Sequence, residues 1–96
     1  MWLVQIFLPF SAGSQGALQD IKEELTNRFG GVTAYNRAPA EGVWRDGNKK
    51  EKDDIVIVEV MTNELDRAYW SDLRNRLEHQ LNQHEIVVRA SGIDRL

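Results

Sequence analysis

The run IVIVEVM, Ile55 to Met61, constrains this chain more than any other stretch. Apart from Glu59 and Met61 every position in it is β-branched, the side-chain type that packs best on a pleated surface. Alternation places Val56, Val58 and Val60 on one side and Ile55, Ile57, Glu59 and Met61 on the other. A strand apolar on both sides belongs in the middle of a sheet. Its all-valine side is expected to face helices, which leaves one carboxylate, Glu59, on an otherwise apolar face that needs another explanation.

The neighbouring segments supply the rest of a sheet and its cover. WLVQIFLPF, at the N-terminus, divides into Val4, Ile6 and Leu8 against Leu3, Gln5 and Phe7, and Pro9 with the SAGSQG stretch ends it. Leu18, Ile21, Leu25 and Phe29 recur at helical spacing between Gln15 and Phe29; Ser14 is the expected N-cap and Gly30 the left-handed terminator. A short strand follows, from about Val32 to Ala38, bounded by Pro39. Val43 to Arg45 is expected to form one arm of a hairpin, turning at Asp46-Gly47 and returning through KKEKDD into the strand from Ile55. Asn63 is the expected cap of a second helix, about Glu64 to Gln83, with Trp70, Leu73, Leu77 and Leu81 as its apolar stripe and Tyr69 widening it. Glu85 to Ala90 reads as the last strand, and Ile93 and Leu96 in the tail are placed at the sheet edge or against a partner.

The order β-α-β-β-α-β predicts an α+β, ferredoxin-like sandwich: a four-stranded antiparallel sheet with two helices on one face and the first and third strands central. At 96 residues the expectation is a single ferredoxin-like domain spanning 1–96. Such a chain removes only about 60% of its unfolded surface from water, so a covering partner would add materially to its core.

Applied to every strand, the alternation gathers Leu3, Phe7, Ile55, Ile57, Met61 and Val87 on the helix-free face, with Gln5, Glu59 and Arg89 among them. An apolar patch of that extent predicts self-association, most simply as a face-to-face homodimer. Glu59 then needs a partner. Arg89 shares the face but stands two strands away, across Gln5; Arg37, with Thr33 and Tyr35, is the alternative, as is a residue of another copy. A structural Glu-Arg bridge, a ligand-binding or catalytic pair, and an exposed edge position all remain open for Glu59.

The remaining chemistry-bearing residues are dispersed. Trp44 either anchors the hairpin arm, packs into a partner or stacks on a ligand. Arg37, Arg45 and Arg89 suit a carboxylate or phosphate if they converge. His79 and His84 differ in context and form no metal-ligand pattern; His79 suits a helix C-terminus, and His84 is the more conceivable general base. Gly30-Gly31 follows a helix rather than opening one, so it is a cap and not a phosphate loop. Without cysteine, thiolate chemistry and disulfides are excluded. A net charge of -3, from 15 acidic and 12 basic residues, argues against a nucleic-acid partner. The apolar N-terminus lacks a basic leader region and is too short for a bilayer, so no membrane partner is expected, and the expected location is cytoplasmic.

The segments RFGGVTAYNRAPAEGVW, DIVIVEVM and YWSDLRNRLEHQLNQHEIVVRA together resemble a group of short bacterial ferredoxin-like proteins of unknown function. In element order and open sheet face the chain is also similar to the dimeric α+β barrel proteins. That resemblance implies paired sheets that often enclose a small-molecule pocket. Two functions follow as expectations: an interaction or small-ligand-binding module, or a cofactor-independent enzyme acting on a small aromatic or anionic molecule. Gln5, Tyr35, Arg37, Trp44, Arg45, Glu59 and Arg89 are the candidate pocket or interface residues for either. No catalytic residue, metal or cofactor is assigned.

Overall fold

Strand β1, Trp2–Pro9, is the hub of the architecture: it pairs antiparallel with β3, Lys49–Thr62, on one side and with β4, Val87–Gly92, on the other. Strand β2, Thr33–Asp46, pairs antiparallel with the far edge of β3, giving the order β2-β3-β1-β4. Helices α1, Gln15–Phe29, and α2, Arg67–Gln80, complete a β-α-β-β-α-β ferredoxin-like sandwich. The computed structural model describes the backbone of residues 1–46 and 49–96, and the side chains of 1–11, 13–35 and 54–96.

The core lies between one sheet face and both helices. Val4, Ile6 and Leu8 of β1 and Val56, Val58 and Val60 of β3 are buried there with Leu18, Ile21 and Leu25 of α1 and Trp70, Leu73 and Leu77 of α2. The valine side of β3 thus faces the helices, as the alternation requires. Phe29 stacks on Trp70 at 5.2 Å between centroids, and Tyr69 meets both rings edge-on, so an aromatic cluster joins the two helices. A polar clamp closes over it. Arg76 forks onto Glu24 through two bonds of 3.0 and 2.9 Å, and the Tyr69 hydroxyl donates to Glu24 Oε2 at 2.6 Å. Arg28 lies over the Tyr69 ring at 3.9 Å and reaches Asp66 at 3.3 Å.

Several boundaries differ from those expected of the sequence, each for a visible reason. Helix α1 has the expected limits, and Gly30 takes φ of 85° after its last turn. Ser14, however, does not cap it: its hydroxyl closes a 3-10 turn, Ala12–Ser14, accepting from the Ser11 N–H and donating to the Ser11 carbonyl. Helix α2 starts at Arg67 rather than near Glu64 because Asp66, not Asn63, accepts the Tyr69 N–H. It stops at Gln80, where Asn82 turns the chain with φ of 51°. The Ile86 N–H is taken by Glu78 Oε2, so β4 begins at Val87 and not at Glu85. The Ile93 N–H bonds the Met1 carbonyl and prolongs the edge, while Leu96 is exposed.

Strand β2 does not end before Pro39. It continues to Asp46, and the register slips between Tyr35↔Ile57 and Ala40↔Ile55, five steps along β2 against two along β3. Pro39 falls inside this slip, where its missing N–H breaks no ladder. The charged run before Ile55 is likewise strand, paired from Glu41↔Asp54 to Asp46↔Lys49. Gly47, of the expected Asp46-Gly47 turn, lies outside the described residues. Among the described residues no helix is long and apolar enough to cross a membrane.

The Arg76 fork, aided by the Tyr69 hydroxyl, holds the Glu24 carboxyl below its ordinary value of 4.5 despite partial burial. A carboxyl depressed on folding stabilises the fold above its unfolded pKa and loses that contribution as pH falls through the folded value. Wild-type stability should therefore decline through the acid range below about pH 4.5, and Glu24→Gln should be less stable at neutral pH and flatter across that range, as followed by urea unfolding midpoints.

Candidate functional site

On the face away from the helices, antiparallel pairing lines up one residue from each strand. Thr33 of β2 stands opposite Glu59 of β3, Glu59 opposite Gln5 of β1, and Gln5 opposite Arg89 of β4. The next row runs Tyr35, Ile57, Phe7, Val87, so the polar row is bordered by apolar side chains. Residues directly opposite in a ladder approach within side-chain contact, and here Glu59, Gln5 and Arg89 are bonded in series.

The Gln5 amide Nε2 donates to Glu59 Oε1 at 2.7 Å, and the Arg89 Nε donates to Gln5 Oε1 at 2.9 Å. From the adjacent row the Tyr35 hydroxyl donates to Glu59 Oε2 at 3.2 Å. The Arg89 guanidinium also lies 4.6 Å from the Phe7 ring centroid, within cation-π range. Charge fixes the glutamine orientation: turned over, its oxygen would face the carboxylate and its NH2 the guanidinium. The sequence left the partner of Glu59 open: Arg89 reached across Gln5, Arg37, or a residue of another copy. The structure interposes Gln5 between Glu59 and Arg89, because these two ionic residues sit on strands that flank β1, about 10 Å apart across two strand spacings. Donating to the Glu59 carboxylate raises the Tyr35 hydroxyl above its usual 10, because that bond and the nearby negative charge both favour the neutral phenol.

Four of the seven candidate residues, Gln5, Tyr35, Glu59 and Arg89, thus meet in one network. The side chains of Arg37, Trp44 and Arg45 lie outside the described residues. The two histidines stand apart from it: His79 is exposed and its Nδ1 lies 3.1 Å from the Asn75 carbonyl, and His84 is exposed beyond α2. Among the described residues no group of three or more His, Cys, Asp or Glu could hold a metal ion. Chemically the row is a carboxylate held by two neutral donors and a guanidinium with one nitrogen engaged; the two terminal nitrogens of Arg89 make no hydrogen bond among the described residues. The relay role of Gln5 is what sequence reasoning missed, although its place between two charged residues on one face was the available signal.

No protein-family model matches the chain, and no curated protein matches it in sequence. Solved structures do. CutA from Xylella fastidiosa shares 16% identity at a TM-score of 0.65, over 98% of this chain and 84% of that one. The chain has the ferredoxin-like fold of CutA1 proteins. The divalent cation tolerance protein CutA1 from Thermus thermophilus, also 16% identical, superposes with a TM-score of 0.63 over 99% of this chain and 86% of its own. A phage SAM lyase in complex with S-methyl-5'-thioadenosine is similar too, at 13% identity and a TM-score of 0.59, over 94% of this chain and 79% of the lyase. At these identities the likeness is one of fold.

Two outcomes test the network. Gln5→Leu leaves the Arg89 Nε and one Glu59 oxygen without their partner, and should cost about 1 kcal/mol, read as a lower urea midpoint at unchanged slope. In spectrophotometric titration neither tyrosine of the wild type should ionise at the usual phenol pH, since desolvation and Glu24 push Tyr69 up as well; Glu59→Gln should return Tyr35 alone toward 10.

Proposed function

We propose that residues 1–96 act as one self-associating domain whose helix-free sheet face is the interface between copies, and that the protein serves as an interaction or small-ligand-binding module. The observation that carries this reading is the composition of that face. Tyr35, Met61 and Val87 are each 48% exposed there, beside half-buried Leu3, Phe7, Ile55 and Ile57. The polar groups at its centre are engaged with one another through hydrogen bonds, which is how polar atoms are prepared for removal from water. Scattered apolar residues need no explanation, but a contiguous sheet face of them does.

A second copy of the chain is the occupant that the face fits. The row carries a carboxylate at one end and a guanidinium at the other, so it is complementary to itself when reversed. A two-fold axis lying between the two faces, parallel to β1 and above Gln5, would set Arg89 of each copy over Glu59 of the other. A ligand held between the copies would meet Tyr35, Glu59, Gln5 and Arg89 as its polar contacts and Phe7 and Ile57 as its apolar ones.

The second reading is a cofactor-independent enzyme acting on a small aromatic or anionic molecule in that same enclosed space. One observation favours it: a phage lyase of similar fold is solved with a small molecule bound. A SAM-derived ligand is therefore worth including when ligands are screened.

Light scattering across a concentration series should give the mass of an assembly. Met61→Glu and Val87→Glu replace exposed side chains, so each variant should keep its secondary structure. Each should nonetheless raise the dissociation constant by about a hundredfold, because a carboxylate would be buried without a partner. A strict monomer at every concentration, or variants that associate like the wild type, would overturn the assignment of this face.

A further inference from the structure

On the opposite side of the sheet, α2 and the edge strand β4 leave a cleft of about 150 Å³ between them. Its inner wall is apolar, formed by Leu65, Trp70 and Val88, and its helix side carries Arg67, Ser71 and Arg74. These three polar residues stand at i, i+4 and i+7, a single stripe of α2 lying beside the core stripe of Trp70, Leu73 and Leu77. Because the core stripe fixes the rotation of the helix, Arg67 and Arg74, both exposed, stand on the flank of α2 that borders the cleft.

Charge sets this cleft apart from its surroundings. Elsewhere the arginines of the two helices are matched by acids: Arg28 by Asp66, and Arg76 by Glu24 and Asp72. Arg67 and Arg74 make no ion pair among the described residues, and no carboxylate is among the described residues that line the cleft. Asp66, the acid next in sequence to Arg67, is occupied with the Tyr69 N–H and with Arg28. In a chain of net charge -3 the result is a local basic cavity with an apolar floor. Two turns of helix separate the arginines by about 10 Å, a span that a ligand seated between them over Ser71 would bridge.

We propose that this cleft is a binding site for a small phosphate monoester, its oxyanion held by Arg67, Arg74 and the Ser71 hydroxyl and its organic part laid on Leu65, Trp70 and Val88. Guanidinium forks match phosphate oxygens in pairs, and the volume, about that of five waters, suits a fragment-sized ligand rather than a nucleotide. The site and the proposed interface lie on opposite sides of the sheet but share Arg89. Val88, Arg89 and Ala90 of β4 all line the cleft, although the Arg89 Nε is bonded to Gln5 in the polar row.

The test is titration of the full chain with phenyl phosphate and with inorganic phosphate, followed by amide chemical shifts. Saturable shifts should centre on residues 65–74 and 88–90, and phenyl phosphate should bind about tenfold more tightly than inorganic phosphate, since only it reaches the apolar floor. Arg67→Gln and Arg74→Gln should each weaken phenyl phosphate about tenfold, whereas Arg95→Gln, outside the cleft, should not. Equal binding of the two probes would remove the organic ligand from the proposal. Shifts that fail to saturate, that centre on Gln5, Tyr35 and Glu59 of the open face, or that survive both cleft variants would overturn the site itself.

Discussion

The antiparallel pairing of β1 with β3, in the register that sets Val4 opposite Val60 and Gln5 opposite Glu59, is the constraint on which the rest depends. Both strands are apolar on two faces, so either face could in principle be turned inward. A slip of one residue would send Glu59 into the core and Val58 and Val60 out to the open face. The register chosen buries six aliphatic side chains from these two strands beneath the helices and leaves Gln5 and Glu59 side by side in one row. The core, the row and the placement of the two edge strands all follow from that choice.

With the register fixed, the two faces of the sheet solve different problems. The covered face is closed by α1 and α2, which are joined to each other by the Phe29, Tyr69 and Trp70 cluster and by the Glu24 clamp above it. The open face has no such cover. Its charges are distributed instead through a neutral glutamine, so that neither Glu59 nor Arg89 stands alone among apolar neighbours. A buried carboxylate without a partner is costly, and one with a full set of donors is far less so. The row is therefore compatible with being covered, which is the property that an interface or a pocket wall requires and that an ordinary solvent-facing sheet does not.

Strand β4 links the two candidate surfaces. Its alternate side chains present Arg89 to the polar row and Val88 to the basic cleft beside α2. As an edge strand of six residues it is also the shortest in the sheet. Occupation of either surface would bear on the same short strand, whereas the long hairpin of β2 and β3 lies at the opposite edge.

Sequence alone determined the element order, the limits of α1, the inward faces of β1 and β3, and the grouping of Gln5, Glu59 and Arg89 on one face, because each rests on periodicity within a single segment. It did not determine contacts between segments. Pairing across the hairpin carries β2 through Pro39 and β3 through a charged run, against the local preferences of both. Competition for backbone groups moved the caps: Asp66 took the Tyr69 N–H and Glu78 took that of Ile86. The interposition of Gln5 depended on strand order, since only with β1 between β3 and β4 does a glutamine separate the two charges. Arg67 and Arg74 carry no signal in the sequence that singles them out; only the packing of α2 beside an edge strand put them at the wall of a cleft.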